Sequence, residues 1–167
     1  MNDTERPAKQ PRRSRMLKSN GRAPLTQLQA LLIAADVAAG DGESAVADDA
    51  LTELLLALSP SALDLELRGL GVGVGVGDAA ASINGLEELR RALDFFARQL
   101  ATGRDYELLQ ASLAVFLRVH QEALCKMTQL LPAVQHVHRV QHSSWSELRE
   151  ALHGNLCLLS FLCRTQI

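Results

Sequence analysis

The stretch that decides the fold runs from Asp105 to Leu124 and reads DYELLQASLAVFLRVHQEAL. Its apolar side chains and one histidine recur at steps of three and four residues: Tyr106, Leu109, Leu113, Phe116, Leu117, His120 and Leu124. This is the period of one face of an α-helix and not the alternation of a strand. Leu108, Val115 and Val119 widen that face, so we expect this helix to be covered on more than one side. Asp105 is the expected N-cap.

The composition favours helices throughout the chain. Hydrophobic residues make up 47 % of the 167 positions and aromatic residues only 4 %, with leucine and alanine dominating the apolar set. Such a balance is typical of helix and not of sheet. We therefore predict an all-α domain over residues 24–167, in which antiparallel helical hairpins form a small bundle.

The formal net charge of −2 hides an asymmetry. Residues 1–22 hold seven Lys or Arg against Asp3 and Glu5, whereas the rest of the chain holds ten basic and seventeen acidic residues. We predict that residues 1–23, which are polar and aperiodic, form a disordered basic tail or linker. Its basic cluster (Arg12, Arg13, Arg15, Lys18) fits a nuclear address, a loose contact with RNA phosphates or a solvated linker. The acidic body lacks a broad nucleic-acid footprint.

Helix-start and helix-stop signals divide the first half of the domain. A first helix is predicted from Pro24 to about Ala39, ended by Gly40 and Gly42, with the stripe Leu25, Leu28, Leu31, Leu32 and Ala35. A second, capped by Asp48 or Asp49, carries Leu51, Leu54, Leu55 and Leu58 and pairs antiparallel with the first. Ser59 as N-cap and Pro60 as first residue predict a third, short helix, with Asp64 and Glu66 near its positive end.

Residues 69–77 read GLGVGVGVG and invite a nucleotide-binding interpretation. The glycines do not fall at the steps of a dinucleotide fingerprint, and the Lys of a phosphate loop is missing. We therefore predict a low-complexity surface loop.

A helical hairpin is predicted for the following segments. The first helix starts at Ser82 or Asn84, carries Leu86, Leu89, Leu93, Phe96 and Leu100, and ends at Gly103. The second spans residues 105–131, and the short connection makes the two antiparallel neighbours. Pro132 is expected to mark a boundary.

The last segment, residues 133–165, is also predicted to be helical, as one helix or two. A capping box of Ser144 and Glu147 favours a break near residues 142–144. One face carries Trp145, Leu148, Leu152, Leu156, Leu159 and Leu162. Residue periodicity does not tell whether this stripe is core or a docking surface.

No pattern in the chain assembles a catalytic, cofactor-binding or metal site. His138 and His142 share a helical face, but His136 has no such partner and the tighter spacing of zinc sites is missing. Ser112 is expected to bond to a preceding carbonyl within its helix. Cys125, Cys157 and Cys163, an odd number in apolar surroundings, are predicted to be buried free thiols of an intracellular protein. No apolar run is long enough for a membrane span, and nothing indicates a small-molecule substrate.

Three segments together resemble a known family: SPSALDLELRGL from Ser59, GRDYELLQASLAVFLRVH from Gly103, and SSWSELREALHGNLCLLSFL from Ser143. Their order and spacing over about residues 48–165 are similar to the C-terminal helical domain of the Utp-twenty-one family, also called the WD-repeat protein thirty-six family. The Gly-Val run departs from the family pattern. The preceding WD-repeat propellers are missing, so the chain resembles a fragment or a truncated gene model of a larger protein.

The resemblance implies a non-enzymatic scaffold of the small-subunit processome, acting in rRNA processing and ribosome biogenesis. It also implies a nuclear, nucleolar location and helix–helix docking on other WD-repeat processome subunits. Association with the U-three small nucleolar RNA and the pre-rRNA is then indirect. The alternative is an RNA-binding accessory module that uses the basic N-terminal tail.

Overall fold

A computed structural model describes residues 25–41, 44–72, 74 and 79–164. These residues form six α-helices: α1 (Gln27–Asp41), α2 (Ser44–Ala57), α3 (Pro60–Gly69), α4 (Ala79–Thr102), α5 (Tyr106–Lys126) and α6 (Leu131–Arg164). A single 3₁₀ turn, Thr128–Leu130, joins α5 to α6. The predicted all-α class is confirmed. The predicted disordered tail over residues 1–23 and much of the Gly-Val run lie outside the described residues.

Helix α4 lies at the centre of the fold. Its buried apolar side chains lie from Leu89 onward: Leu89, Ala92, Leu93, Phe95, Phe96, Ala97 and Leu100. These positions cover more than one side of the helix, and α1, α5 and α6 all contact it. We expected α5 to hold this place. Its apolar face does pack on more than one side, against α3, α4 and the 3₁₀ turn, but α4 buries a wider face.

The predicted face of α5 is the one that is buried. Leu109, Leu113 and Phe116 are fully enclosed, and His120 is buried beside them. The ring centroid of Phe116 lies 5.7 Å from that of Phe96 and 4.8 Å from that of His120. These tilted ring pairs join α5 to α4, so the predicted contact between the two helices of the hairpin is present.

Two predicted helix ends of this hairpin are confirmed only in part. Gly103 has a φ of +70°, the left-handed conformation that a helix C-terminus requires. Asp105 occupies the N-cap position of α5 as predicted, but it adopts a left-handed conformation, with φ 47°, and its side chain does not make the expected capping hydrogen bond. Helix α5 ends at Lys126 and not at residue 131, because the 3₁₀ turn intervenes.

Side chains cap the first turns of α1 and α3, whereas the predicted cap of α2 is not formed. A capping box fixes α1: the Thr26 hydroxyl accepts from the Gln29 N–H at 3.2 Å, and the Gln29 Oε1 accepts from the Thr26 N–H at 2.8 Å. Helix α3 begins as predicted, with the Ser59 hydroxyl accepting from the Ala62 N–H. Asp48 does not cap α2, because that helix starts four residues earlier, at Ser44.

Asp48, which is buried, instead forms an ion pair with the half-buried Arg98 of α4. Its two carboxylate oxygens each accept from Arg98, both at 2.7 Å. The hydrogen bond with Asp48 is the main reason that the pKa of Arg98 is raised. Asp36 of α1 pairs with Arg91 at 2.8 Å in the same way. Charged side chains of α4 therefore hold α1 and α2 on one side, while its apolar side chains face the core.

Polar contacts also hold α3 and the first part of the Gly-Val run. Leu70 is buried, and the Gly71 N–H donates to the Glu88 carboxylate of α4 at 3.0 Å. The Glu66 carboxylate accepts from the N–H of Leu28, in the first turn of α1, at 3.4 Å. The start of the run is thus part of the packed body and not a surface loop as predicted.

Helix α6 is one continuous helix of 34 residues. Pro132 is its second residue, which agrees with the predicted boundary and costs no hydrogen bond there. The predicted capping box is wrong: Ser144 lies inside the helix, and its hydroxyl donates to the Leu100 carbonyl at the end of α4, at 2.9 Å. A tertiary hydrogen bond has replaced the local one.

Truncation of Phe116 tests the core. We expect Phe116→Ala to lower the free energy of unfolding by about 3–5 kcal/mol, because the ring is fully buried between Phe96 and His120. Urea unfolding followed by circular dichroism measures this. Phe116→Leu, which retains most of the volume, is the control and should cost less. An unchanged urea midpoint for Phe116→Ala would show that α5 is not part of the core.

Two helical glycines form a matched pair for substitution by alanine. A Cβ at Gly85 would lie 2.7 Å from the Val74 Cγ2 and 3.1 Å from the Gly71 carbonyl oxygen, whereas at Gly154 no described atom lies within 4 Å. We expect Gly85→Ala to destabilise the protein by about 1–3 kcal/mol through overpacking. Gly154→Ala should stabilise α6 by about 0.5–1 kcal/mol. Thermal unfolding measures both, and equal effects would contradict the packing of the Gly-Val run on α4.

His120 makes stability depend on pH. Burial lowers its pKa, and the Leu67 carbonyl, which lies 2.8 Å from its Nε2, acts in the opposite direction more weakly. In the unfolded chain the imidazole takes up a proton near its ordinary value of about 6.5. The contribution of His120 is therefore complete well above that pH and is lost as the pH falls through about 6.5 towards the lowered pKa of the folded state. The difference in unfolding free energy between the wild type and His120→Gln should shrink over this window. A constant difference would contradict the assignment.

Candidate protein-interaction surface

Helix α6 is anchored along its first half only. Val137 is buried, and Ala133, Val134 and Val140 pack against the core beside it. At 1.5 Å per residue the helix is about 50 Å long. Every residue from 147 to 164 is exposed, so roughly the last 27 Å of the helix extends beyond the body.

The exposed half carries a continuous apolar stripe. Its members follow the three-and-four spacing of one helical face and are called the α6 stripe below: Trp145, Leu148, Leu152, Leu156 and Leu159. Exposure ranges from 39 % at Leu148 to 60 % at Leu156, and Leu162 of the predicted face is 57 % exposed. The stripe is therefore exposed on the surface. The spacing of its residues in the sequence did not distinguish a surface from a core face.

Two further apolar side chains at the end of α6 do not belong to the stripe. Leu158 and Phe161 are each 63 % exposed. They lie outside the three-and-four spacing that predicted the stripe. The signal that reveals them is the run LCLLSFLC over residues 156–163, where Ser160 is the only polar side chain besides the two thiols.

Charges on the exposed half balance and lie near its ends. Glu147 and Glu150 oppose Arg149 and Arg164, and no charged side chain lies between His153 and Arg164. The Ser143 hydroxyl donates to the Glu147 carboxylate at 3.3 Å, next to the stripe. This surface is therefore apolar and carries no net charge.

A shallow depression of about 360 Å³ lies between α5 and α6 where the stripe begins. It is lined by Tyr106, Gln110, His138, Gln141, His142 and Trp145. The Gln141 Nε2 donates to the Gln110 Oε1 at 2.8 Å, whereas the Gln110 Nε2 is buried with no hydrogen-bond partner among the described residues. The two histidines that invited a metal hypothesis are therefore placed among amides and aromatic rings. Nowhere in the described part of the chain do three metal-ligating side chains come together.

The cysteines and Ser112 differ from their predictions. Cys125, Cys157 and Cys163 are free and exposed, so the prediction of buried thiols is wrong. Their apolar neighbours on α6 are themselves exposed, which the sequence did not reveal. The Ser112 hydroxyl is buried but finds no hydrogen-bond partner among the described residues, contrary to the expected bond within its helix. Asp64, for which no partner was predicted, pairs with Arg68 at 2.6 Å.

None of the described helices combines the length and the apolar character needed to cross a bilayer.

Comparison with known proteins supports the resemblance seen in the sequence. The family described as Utp21 specific WD40 associated putative domain matches residues 1–163. The chain belongs to this family. It is also 28 % identical over 114 residues to the human protein WD repeat-containing protein 36. That alignment covers 68 % of this chain and 12 % of the human protein, so the chain spans only a small part of its relative.

Proposed function

We propose that this chain is a non-enzymatic assembly module of the small-subunit processome, in which the exposed half of α6 docks on helices of sister WD-repeat subunits. The α6 stripe is the observation that carries the proposal. The role lies in rRNA processing and ribosome biogenesis in the nucleolus. Contact with the U-three small nucleolar RNA and the pre-rRNA is made through those subunits.

The energetics of the stripe support docking. Monomeric proteins rarely expose contiguous apolar patches larger than a few hundred Å². Full burial of a leucine side chain is worth about 1.5–3 kcal/mol, so the four leucines of the stripe offer a large gain to any partner that covers them. An amphipathic helix with anchors at three-and-four spacing is a known mode of protein recognition.

Membership of the Utp21 family supports the choice of partners. The family is described as WD40-associated, and the human relative is named as a WD-repeat protein. Sister WD-repeat subunits with helical C-terminal domains are therefore the first candidates. An enzymatic role receives no support, since the described polar side chains form ion pairs and helix contacts and not a nucleophile with its base.

The alternative, RNA binding through the basic residues of positions 1–22, predicts a different response to salt. Binding that depends on phosphate contacts weakens steeply as ionic strength rises. Binding through apolar contacts does not weaken in this way as ionic strength rises.

A charge placed in the stripe tests the proposal. We expect Leu152→Asp combined with Leu156→Asp to weaken binding to the helical domain of a sister WD-repeat subunit by at least about 100-fold, because two buried leucines are replaced by charges. The measurement is calorimetric titration of the full chain at low and at high salt. The wild-type affinity should persist at high salt.

The matched control places the same two charges elsewhere. Ala114→Asp with Gln121→Asp alters two exposed positions of α5, outside the stripe, and should leave the affinity within about twofold. Circular dichroism verifies that both double variants are folded. Equal affinities for the two variants would contradict docking through α6, and loss of the wild-type complex in salt would favour charge-driven binding.

A further inference from the structure

The end of α6 carries apolar side chains on two opposite sides. Successive residues of an α-helix are about 100° apart, so Phe161 lies roughly 140–160° around the axis from Leu156 and Leu159. Leu158 is three residues before Phe161 and shares its side of the helix. Leu158 and Phe161 thus define a second apolar face, opposite the stripe, which we call the α6 back face.

A single partner helix covers only one of these faces. A partner helix against the stripe leaves the back face in water. A large apolar area then stays exposed, because a phenylalanine side chain alone buries about 150–250 Å² when enclosed. Pairing with a second copy of this chain, stripe against stripe, also leaves the back face exposed to water. Both apolar faces are removed from water only when protein covers the helix on both sides.

The charge distribution further restricts the partner. Between His153 and Arg164 the helix offers no charge to pair with. A charged side chain on the partner would be desolvated there without compensation, which is costly. A membrane surface is also a poor match, because interfacial helices carry an excess of Lys and Arg on the polar face, and residues 147–164 hold two basic and two acidic side chains.

We propose that residues 156–163 insert between two helices of one partner domain, into an apolar and uncharged groove. Leu156 and Leu159 contact one wall, and Leu158 and Phe161 contact the other. This inference rests on the proposed docking function and adds the shape and chemistry of the partner's site.

The two cysteines of the exposed half report on the two faces separately. Cys163 lies four residues after Leu159, on the stripe side, whereas Cys157 lies four residues before Phe161, on the back-face side. Cys125, exposed on α5, is an internal reference. Because one tryptic peptide contains Cys157 and Cys163, the experiment uses Cys157→Ser and Cys163→Ser separately in the full chain.

The measurement is the rate of alkylation by N-ethylmaleimide, with and without the helical domain of the sister subunit that binds in the titration above. In the complex, both Cys157 and Cys163 should react at least about tenfold more slowly, while Cys125 keeps its rate, because thiol reactivity follows exposure. In addition, Leu158→Ser with Phe161→Ser should weaken binding by at least about tenfold.

Each other outcome overturns the insertion. Protection of Cys163 alone means that the partner covers only the stripe. This result agrees with the proposed docking and contradicts the insertion. Protection of neither thiol in a formed complex removes both proposals. Protection of both thiols in the chain alone, at the same concentration, identifies a second copy as the occupant.

Discussion

The packing of α4 against α1, α5 and α6 is the interaction on which the rest of the structure depends. Phe95, Phe96 and the leucines of α4 are enclosed by these neighbours, and the Phe96 ring contacts Phe116 of α5. The buried Asp48 carboxylate of α2 accepts from the half-buried Arg98 of α4. Removing Arg98 would leave that carboxylate buried without its partner, which is costly, so the pair adds to the packing of α2 on α1.

The end of α4 determines where α6 leaves the body. The Leu100 carbonyl accepts from the Ser144 hydroxyl, and Trp145, the first member of the α6 stripe, follows at once. Before this point α6 is packed on α4, and soon after it every residue is exposed. The anchored half thus presents the outer half as a preformed helix, which lowers the entropy cost of ordering it on a partner.

Much of the fold was predictable because local signals agreed with tertiary packing. Three predictions that depend on short-range geometry agree with the structure: the three-and-four spacing of α5, the Ser59 cap and the left-handed conformation of Gly103. The failures have tertiary causes. Asp48 became an ion-pair partner instead of a cap, and Ser144 bonded to Leu100 instead of starting a helix. Periodicity identified the α6 stripe but not its exposure, since a core face and a docking face have the same spacing.

The back face and the exposed cysteines were missed for the same reason. Leu158, Phe161 and Cys157 lie outside the single periodic face that the spacing predicts, although the run LCLLSFLC carries apolar side chains on two opposite sides. The family resemblance was predictable because it depended on three ordered segments and not on exposure. It places the chain among WD40-associated domains without indicating which surface binds.

The central claim is that a partner covers the outer half of α6. Amide hydrogen exchange over residues 150–164, measured by mass spectrometry on the full chain alone and with the helical domain of a sister WD-repeat subunit, tests it most directly. Without a partner these amides lie in a solvent-exposed helix and should exchange fast. In the complex they should be protected by at least about 100-fold, while α4 changes little. Unchanged exchange over residues 150–164 in a formed complex would contradict the account, as would strong protection in a monomeric chain alone.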